Sequence, residues 1–142
     1  MIKEAIILAG GLGTRLRKVV QDIPKSMAPV NGRPFLEYLL DYLESYGIVR
    51  VILSVGYRHE AITRHFGKEY KGMAVDYAIE TEPLGTGGGL KLAMQKATAG
   101  TVLVLNGDTF FKMDLRRIFT VHRARESKLS IVLREVDDVS RY

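Results

Sequence analysis

The chain has 142 residues, no cysteine and a formal charge of +5. Its length suits one domain, and the lack of cysteine excludes disulfides, a thiolate metal site and a cysteine nucleophile. The first apolar run, Ala5 to Ala9, is too short for a signal-peptide core or a membrane span, and no other run approaches twenty residues. The expectation is a soluble, cytoplasmic protein with no membrane partner. The modest basic surplus fits a polyanionic small substrate, a nucleic acid or an ordinary solvated surface. The positions of the charges say more than their sum.

No internal repeat, low-complexity tract or linker composition divides the chain, so residues 1–142 read as one portion. Glu4 to Ala9 is a near-continuous apolar strand, as expected of a central parallel strand covered on both faces. Residues 10–27 form a long loop or short helix, broken at Ile23-Pro24. Ala28-Pro29-Val30 is a short extended piece, and Asn31-Gly32 is a turn.

Pro34 to Tyr46 reads as a helix, with Leu36, Leu39, Leu40 and Leu43 on one face and Gly47 as its C-terminal cap. Arg50 to Val55 is a strand, and residues 58–66 are a shorter helix. Met73 to Ile79 is a strand with Val75, Tyr77 and Ile79 alternating against Asp76 and Ala78. Thr86 to Ala97 reads as a helix, Thr101 to Leu105 as an apolar strand, and Asn106-Gly107-Asp108 as the turn after it. Asp114 starts a helix to Glu126, with Leu115, Ile118, Phe119 and His122 as its apolar stripe. Leu129 to Val136 reads as a last strand.

This alternation predicts an α/β fold with a mostly parallel, Rossmann-like sheet and helices on both faces. Ligands of such sheets bind outside the C-terminal ends of the strands. Three segments fall there: Gly10 to Arg15, Glu80 to Gly85, and Asn106 to Asp108.

The glycine-rich stretch Leu8-Ala9-Gly10-Gly11-Leu12-Gly13-Thr14-Arg15-Leu16 follows the first strand directly. Successive backbone N–H groups in such a turn make an anion cradle; a tight structural turn explains the same glycines. Arg15 offers a planar fork for phosphate oxygens, and Lys25 adds a movable point charge. A dinucleotide fingerprint would need a third glycine where Leu16 stands, and a P-loop would need Lys-Ser/Thr after Gly13. Both are rejected.

Asp108, at a strand end beside this loop, suits Mg2+ completed by phosphate oxygens and water, or else a simple turn cap. Glu80 can read a base, because an ionised carboxylate accepts from both adjacent N–H donors of guanine. A solvated loop carboxylate is the plainer account, and it is the one that suits Glu82. His59, His65 and His122 share no metal-ligand spacing, and no Ser/His/Asp arrangement with a nucleophile elbow is present. Arg116, Arg117, Arg123, Arg125 and Lys128 fall off the apolar stripe of their helix without interleaved aromatics, which argues against nucleic acid.

Taken with Pro24-Lys25-Ser26-Met27-Ala28-Pro29-Val30, the Leu8 to Leu16 stretch resembles the signature of the sugar-phosphate nucleotidyltransferases, the nucleoside-diphosphate-sugar pyrophosphorylases. Glu82-Pro83-Leu84-Gly85-Thr86-Gly87-Gly88 resembles that family's second nucleotide loop, and Leu105-Asn106-Gly107-Asp108 its metal-binding turn. Within the family the sequence most resembles the heptose 1-phosphate guanylyltransferases, through Asp22-Ile23-Pro24-Lys25, Pro34-Phe35-Leu36-Glu37-Tyr38 and Asn106-Gly107-Asp108-Thr109-Phe110-Phe111.

The resemblance implies a GT-A-like fold and a reaction: nucleoside triphosphate plus sugar 1-phosphate gives nucleoside-diphosphate sugar and pyrophosphate. GTP and a heptose 1-phosphate are the expected partners, with Mg2+ as cofactor. Specificity for dTTP, UTP or mannose 1-phosphate, or a nucleotide-binding module without turnover, are the alternatives. Leu8, Ala9, Gly10, Gly11, Gly13, Thr14, Pro83, Gly85, Thr86, Asn106 and Gly107 would wrap the nucleotide, with Glu80 and Gly85 at the base. Arg15 and Lys25 would be catalytic, at the β,γ- and α-phosphates, and Asp108 would hold the metal. Ser26 stands where the family commonly has proline. Family members run on past Tyr142 into a second metal-binding aspartate and most of the sugar pocket. The expectation is therefore an N-terminal portion that recognises a nucleotide and turns over poorly or not at all alone.

Overall fold

A computed structural model of the chain describes residues 1–11, 23–133 and 135. These group into two compact units, Met1–Lys112 and Met113–Tyr142.

The first unit is built on a five-stranded sheet. Strands β1 (Glu4–Leu8), β4 (Arg50–Val55), β6 (Met73–Ile79) and β7 (Leu103–Asn106) run parallel, and β5 (Glu69–Tyr70) pairs antiparallel with β6. The order is β5-β6-β4-β1-β7. A separate ribbon pairs β2 (Pro29–Val30) with β3 (Arg33–Pro34) around Asn31-Gly32, both at positive φ. This is the chemistry a two-residue hairpin turn requires.

Ala5, Ile6 and Ile7 are fully buried, as are Val51 through Leu53 and Val55. A run apolar at every position cannot face water on either side, which is why β1 and β4 sit in the middle. On one face Ile6, Ile52 and Ala78 pack with Ala93 of helix α3 (Gly85–Met94). Side-chain alternation turns Ile7 and Leu53 to the other face. Helices α1 (Phe35–Ser45) and α2 (His59–Phe66) lie in the β1–β4 and β4–β6 crossovers, and α3 in the return from β6 to β7. Right-handed crossovers put connections that travel in opposite directions on opposite faces.

Helix α1 buries the predicted leucine stripe Leu36, Leu39, Leu40 and Leu43. It ends as expected at Gly47: the Gly47 N–H donates to Glu44 O (2.8 Å) and the Ile48 N–H to Leu43 O (3.2 Å). Those two bonds form a Schellman cap. Pro34 stands just outside the helix, as its N-cap, rather than in its first turn. A polar network ties α1 to its surroundings. Arg33 reaches Glu37 (2.7 Å) and Asp41 (2.8 Å), Tyr70 and Lys71 reach Asp41 (2.8 and 2.7 Å), and His65 meets Glu37 (2.7 Å). Burial pushes the Asp41 carboxyl up, but the bonds from Lys71, Arg33 and Tyr70 outweigh it and bring it down to about 2.

The predicted alternation of β6 is only partly realised. Met73, Val75 and Ala78 are buried, whereas Ile79 is 41% exposed. Ala78 lies under α3, while Ile79 is the last residue of the strand, at the end of the sheet where the loops gather.

At the opposite end, Glu4 is buried and accepts from the backbone N–H groups of Thr98 (2.9 Å) and Ala99 (2.8 Å). It also pairs with Arg50, which in turn holds Asp76 at 2.6 Å. Glu4 thereby joins β1 to β4 and fixes the loop that leads from α3 into β7.

In the second unit, α4 (Leu115–Ala124) starts as expected at Asp114. The Asp114 side chain accepts from the N–H groups of Arg116 (3.0 Å) and Arg117 (3.3 Å). The last strand predicted, Leu129 to Val136, is corrected. Residues 129–133 belong to no sheet, and Leu129, Ile131 and Leu133 are all more than 70% exposed. An alternating apolar pattern makes a strand only when another strand supplies its backbone partners, and none of the described residues does so. Arg134 and Val136 lie outside the described residues.

Candidate active site

Leu8 is in register with Ser54 on one side and Asn106 on the other, and Ser54 with Ala78. One row thus crosses the sheet near the C-terminal ends of its four parallel strands. Just beyond it lie Ala9-Gly10-Gly11, Gly56, Glu80 and Gly107-Asp108. From β1 the chain crosses first toward β4 and β6 and later to β7 on the other side, so β1 and β7 flank the topological switch point. A crevice for a ligand opens at such a point.

The two loops at the switch point are fastened together. The Gly107 N–H donates to Leu8 O (2.8 Å), and a Cβ on Gly107 would stand 2.9 Å from that oxygen and 3.0 Å from Ala9 Cα. Only glycine lets the β7 turn lie this close to the β1 turn. Asp108 follows at once and meets Lys25: Nζ to Oδ2 is 2.6 Å. Lys25 opens a 3-10 turn, Lys25–Met27, closed by Met27 N–H to Pro24 O at 2.8 Å. The Thr109 hydroxyl donates to Asp108 Oδ1 (3.1 Å).

The bond from Lys25 holds the Asp108 carboxyl below its ordinary range, against a smaller opposing effect of burial. Both side chains are about 40% exposed. An ion pair so open to water stabilises a fold by about 0–1 kcal/mol, so its importance lies in what the two charges can meet.

Among the described residues no three His, Asp or Glu side chains gather into a metal cluster. A divalent cation here would have Asp108 as its one described carboxylate ligand. That donor set fits Mg2+, which takes one or two carboxylates and completes its shell with phosphate oxygens and water.

Glu80 lies on the β6 side of the row. Its N–H donates to Val55 O (2.8 Å), and its carboxylate accepts from the Leu84 N–H (3.1 Å) and the Ser54 hydroxyl (3.2 Å). Pro83 and Thr86 are exposed, and Gly85 opens α3 at φ +69°. Asn106 is exposed, Gly107 is buried, and Glu82 is exposed as a solvated loop residue would be. Leu8, Ala9, Gly10, Gly11, Lys25, Asn106, Gly107 and Asp108 therefore gather around β1 and β7, with Glu80, Pro83, Gly85 and Thr86 beside β6. Leu12, Gly13, Thr14, Arg15 and Leu16 lie outside the described residues.

Two residues, Ser54 and Tyr42, and one contact were not legible in the sequence as parts of the site. Ser54 hides as one polar letter within an apolar strand. Tyr42 of α1 packs edge-on against Phe110 (centroids 5.4 Å) and Tyr46 (5.1 Å), which anchors the loop after Asp108. The unusual Phe110-Phe111 pair after a turn was the available signal for this anchor. The third feature is the direct Lys25–Asp108 contact, across 83 residues of sequence. Of the histidines, His65 meets Glu37 at 2.7 Å, and half-buried His122 meets Ser130 Oγ at 2.8 Å.

The chain is 50% identical over 98% of its length to D-glycero-alpha-D-manno-heptose 1-phosphate guanylyltransferase of Aneurinibacillus thermoaerophilus, and 48% identical to the Campylobacter jejuni protein of that name. It spans about 60% of the length of these curated relatives. It superposes with a TM-score of 0.77 on HddC from Yersinia pseudotuberculosis complexed with GMP-PN, at 43% identity, covering 85% of this chain and 54% of that one. UTP-bound UGPase from Acinetobacter baumannii, at 23% identity and TM-score 0.77, shares the fold. The nucleotidyl transferase family profile matches residues 4–142. With its glycine loop at the end of β1 and its Asn-Gly-Asp turn across the switch point, the chain belongs to the nucleotidyl transferase family.

Proposed function

We propose that this chain forms the nucleotide half of a sugar-1-phosphate guanylyltransferase, which transfers GMP from GTP to a heptose 1-phosphate and releases pyrophosphate. The observation that carries this reading is the convergence of Lys25 and Asp108 at the switch point, 2.6 Å apart. A cation and a carboxylate paired beside a glycine loop suit a metal-bound triphosphate better than a neutral ligand. The relatives named as heptose 1-phosphate guanylyltransferases support the choice of substrates.

In this reading the nucleotide lies along the strand ends. Three strand spacings, about 14 Å, separate the end of β6, which Glu80 follows, from the end of β7, which Gly107 and Asp108 follow. Glu80 and Gly85 hold guanine, flanked by Pro83 and Thr86. The backbone of Leu8 to Gly11, continuing through Gly13 and Thr14, wraps the nucleotide, with Asn106 and Gly107 opposite. Arg15 takes the β- and γ-phosphates.

A phosphate oxygen of the sugar 1-phosphate attacks the α-phosphorus as the bond to pyrophosphate breaks. The nucleophile is already an anion, so the chain needs no general base. Positioning and charge neutralisation carry the catalysis. Lys25 exchanges Asp108 for an α-phosphate oxygen and meets the charge that builds there. Mg2+, held by Asp108, would neutralise phosphate charge. Cytoplasmic nucleotide-sugar synthesis is the setting this chemistry implies, and among the described residues no helix is long and apolar enough to cross a membrane.

A single-turnover assay, with the chain in excess over GTP, tests the reading even when steady turnover is poor. Pyrophosphate should appear only when GTP, Mg2+ and heptose 1-phosphate are all present. Tight GTP binding without any pyrophosphate release would instead mark a nucleotide-binding module.

A further inference from the structure

The Glu80 carboxylate has an unusual seat. Oε1 lies 2.6 Å from where a Cβ on Gly10 would stand, and 2.6 Å from the corresponding position on Gly89. Real Cβ atoms do not approach an oxygen so closely, so a side chain at either glycine would push the Glu80 carboxylate out of its present seat. Gly10, the first glycine of the phosphate loop, thus has its side-chain position taken by a residue from β6. The third wall is Ser54, fully buried in β4, with its hydroxyl 3.2 Å from Oε1. An ionised carboxylate only accepts, so the serine donates. A buried hydroxyl is costly without a partner, and Glu80 is the one the structure provides.

The hydrogen-bond inventory gives this seat a meaning. An ionised carboxylate has about four acceptor positions, two on each oxygen. Ser54 fills one on Oε1, and the Leu84 N–H, 3.1 Å from Oε2, fills one on the other oxygen. By that count one acceptor position per oxygen remains, on a side chain that is partly exposed. Guanine presents two adjacent donors, its ring N–H and its exocyclic amino group. Adenine presents an acceptor beside its amino group and would set a lone pair against an oxygen.

We infer that Ser54, with Gly10 and Gly89, is the positioning device that turns Glu80 into a reader of the guanine amino group. The inference rests on the proposed role of Glu80 at the base and adds the residues that aim it. Ser54 touches no nucleotide; it acts through Glu80.

Inosine triphosphate tests this, because it lacks the exocyclic amino group and keeps the rest of the base edge. Affinities for GTP and ITP would be measured by calorimetry for the wild-type chain and for Ser54→Ala, Gly89→Ala and Glu80→Gln. The wild type should prefer GTP by about tenfold or more, the worth of one hydrogen bond to a charged acceptor. Ser54→Ala should narrow that preference to within about threefold, with GTP weakened more than ITP. Gly89→Ala should do the same, since its new methyl displaces the carboxylate. Residual ITP binding and an intact circular dichroism spectrum report that a variant is folded.

A wild-type preference that survives unchanged in folded Ser54→Ala and Gly89→Ala overturns the positioning role and leaves the base reader standing, provided that Glu80→Gln abolishes the preference. A wild type that binds GTP and ITP equally removes the base reader and the positioning role together.

Discussion

Replacing Lys25 by alanine is expected to slow GMP transfer by about 10²- to 10³-fold, the usual loss when one aimed donor is removed from a developing anion. In the proposed mechanism the charge that Lys25 meets grows as the α-phosphorus is attacked, so the loss should fall on the chemical step rather than on GTP affinity. The fold should not notice, because the Lys25–Asp108 pair is open to water on both sides. Lys25→Arg should rescue poorly, since a planar fork does not replace a compact point charge. The single-turnover rate of pyrophosphate release, compared with the GTP dissociation constant, separates the two quantities. An unchanged rate in a variant that still binds GTP would remove Lys25 from catalysis.

Glu4→Ala should be the most destabilising of these substitutions, by about 2–4 kcal/mol. Arg50 keeps Asp76 as a partner, so the loss comes mainly from the Thr98 and Ala99 N–H groups, at about 1–3 kcal/mol for each donor left unpaired. In a chain of this size the melting temperature should fall by about 10 °C. Glu4→Gln keeps an acceptor and should lose less than half as much.

The pH dependence carries a sign. Burial alone would push the Glu4 carboxyl up, but the bonds from Ala99, Thr98 and Arg50 together hold it below its ordinary value of 4.5. A carboxyl lowered by folding stabilises the native state fully above that ordinary value. Its contribution disappears as the pH falls through the folded one. Thermal melts of wild type and Glu4→Gln should therefore converge on acidification below pH 4.5 and stay apart at neutral pH. A constant gap at every pH would show that the Glu4 charge is not what holds the loop before β7.

The fold was legible where one signal decided it. Ala5 to Leu8 and Val51 to Leu53 are apolar without interruption, which only a strand buried on both faces satisfies, and the leucine stripe of α1 admits only one face. Asp108 could be placed at the end of a strand because Leu103 to Leu105 leave no room for a charge before the turn. Elements whose existence depends on a partner were not legible. The two-residue strand Glu69–Tyr70 forms because Lys71 and Gly72, both at positive φ, fold it back on Met73 and Ala74. Leu129 to Leu133 has the better alternation and forms no strand, because pattern cannot supply a neighbour.

The candidate site divides the same way. The glycine loop and the Asn106-Gly107-Asp108 turn carry their chemistry in adjacent letters. The support around them is assembled from afar: Lys25 on Asp108, Tyr42 on Phe110, and Ser54 on Glu80 are contacts of 83, 68 and 26 residues' separation. Residue types at such separations carry no mutual spacing to recognise. Glu4 is similar, since its partners Thr98 and Ala99 lie more than ninety residues away.

The central claim is that the strand ends from β6 to β7 form a guanine nucleotide site, and a thermal-shift panel tests it most directly. The chain would be melted with Mg2+ and each of GTP, dTTP, UTP, CTP and ATP at equal concentration. Only a ligand that binds the native state raises its stability, by about 2.7 kcal/mol at a hundredfold excess over Kd. GTP should raise the melting temperature by about 10 °C at that excess, with the other four far behind. Equal shifts for all five nucleotides, or a larger shift for UTP or dTTP than for GTP, would contradict it.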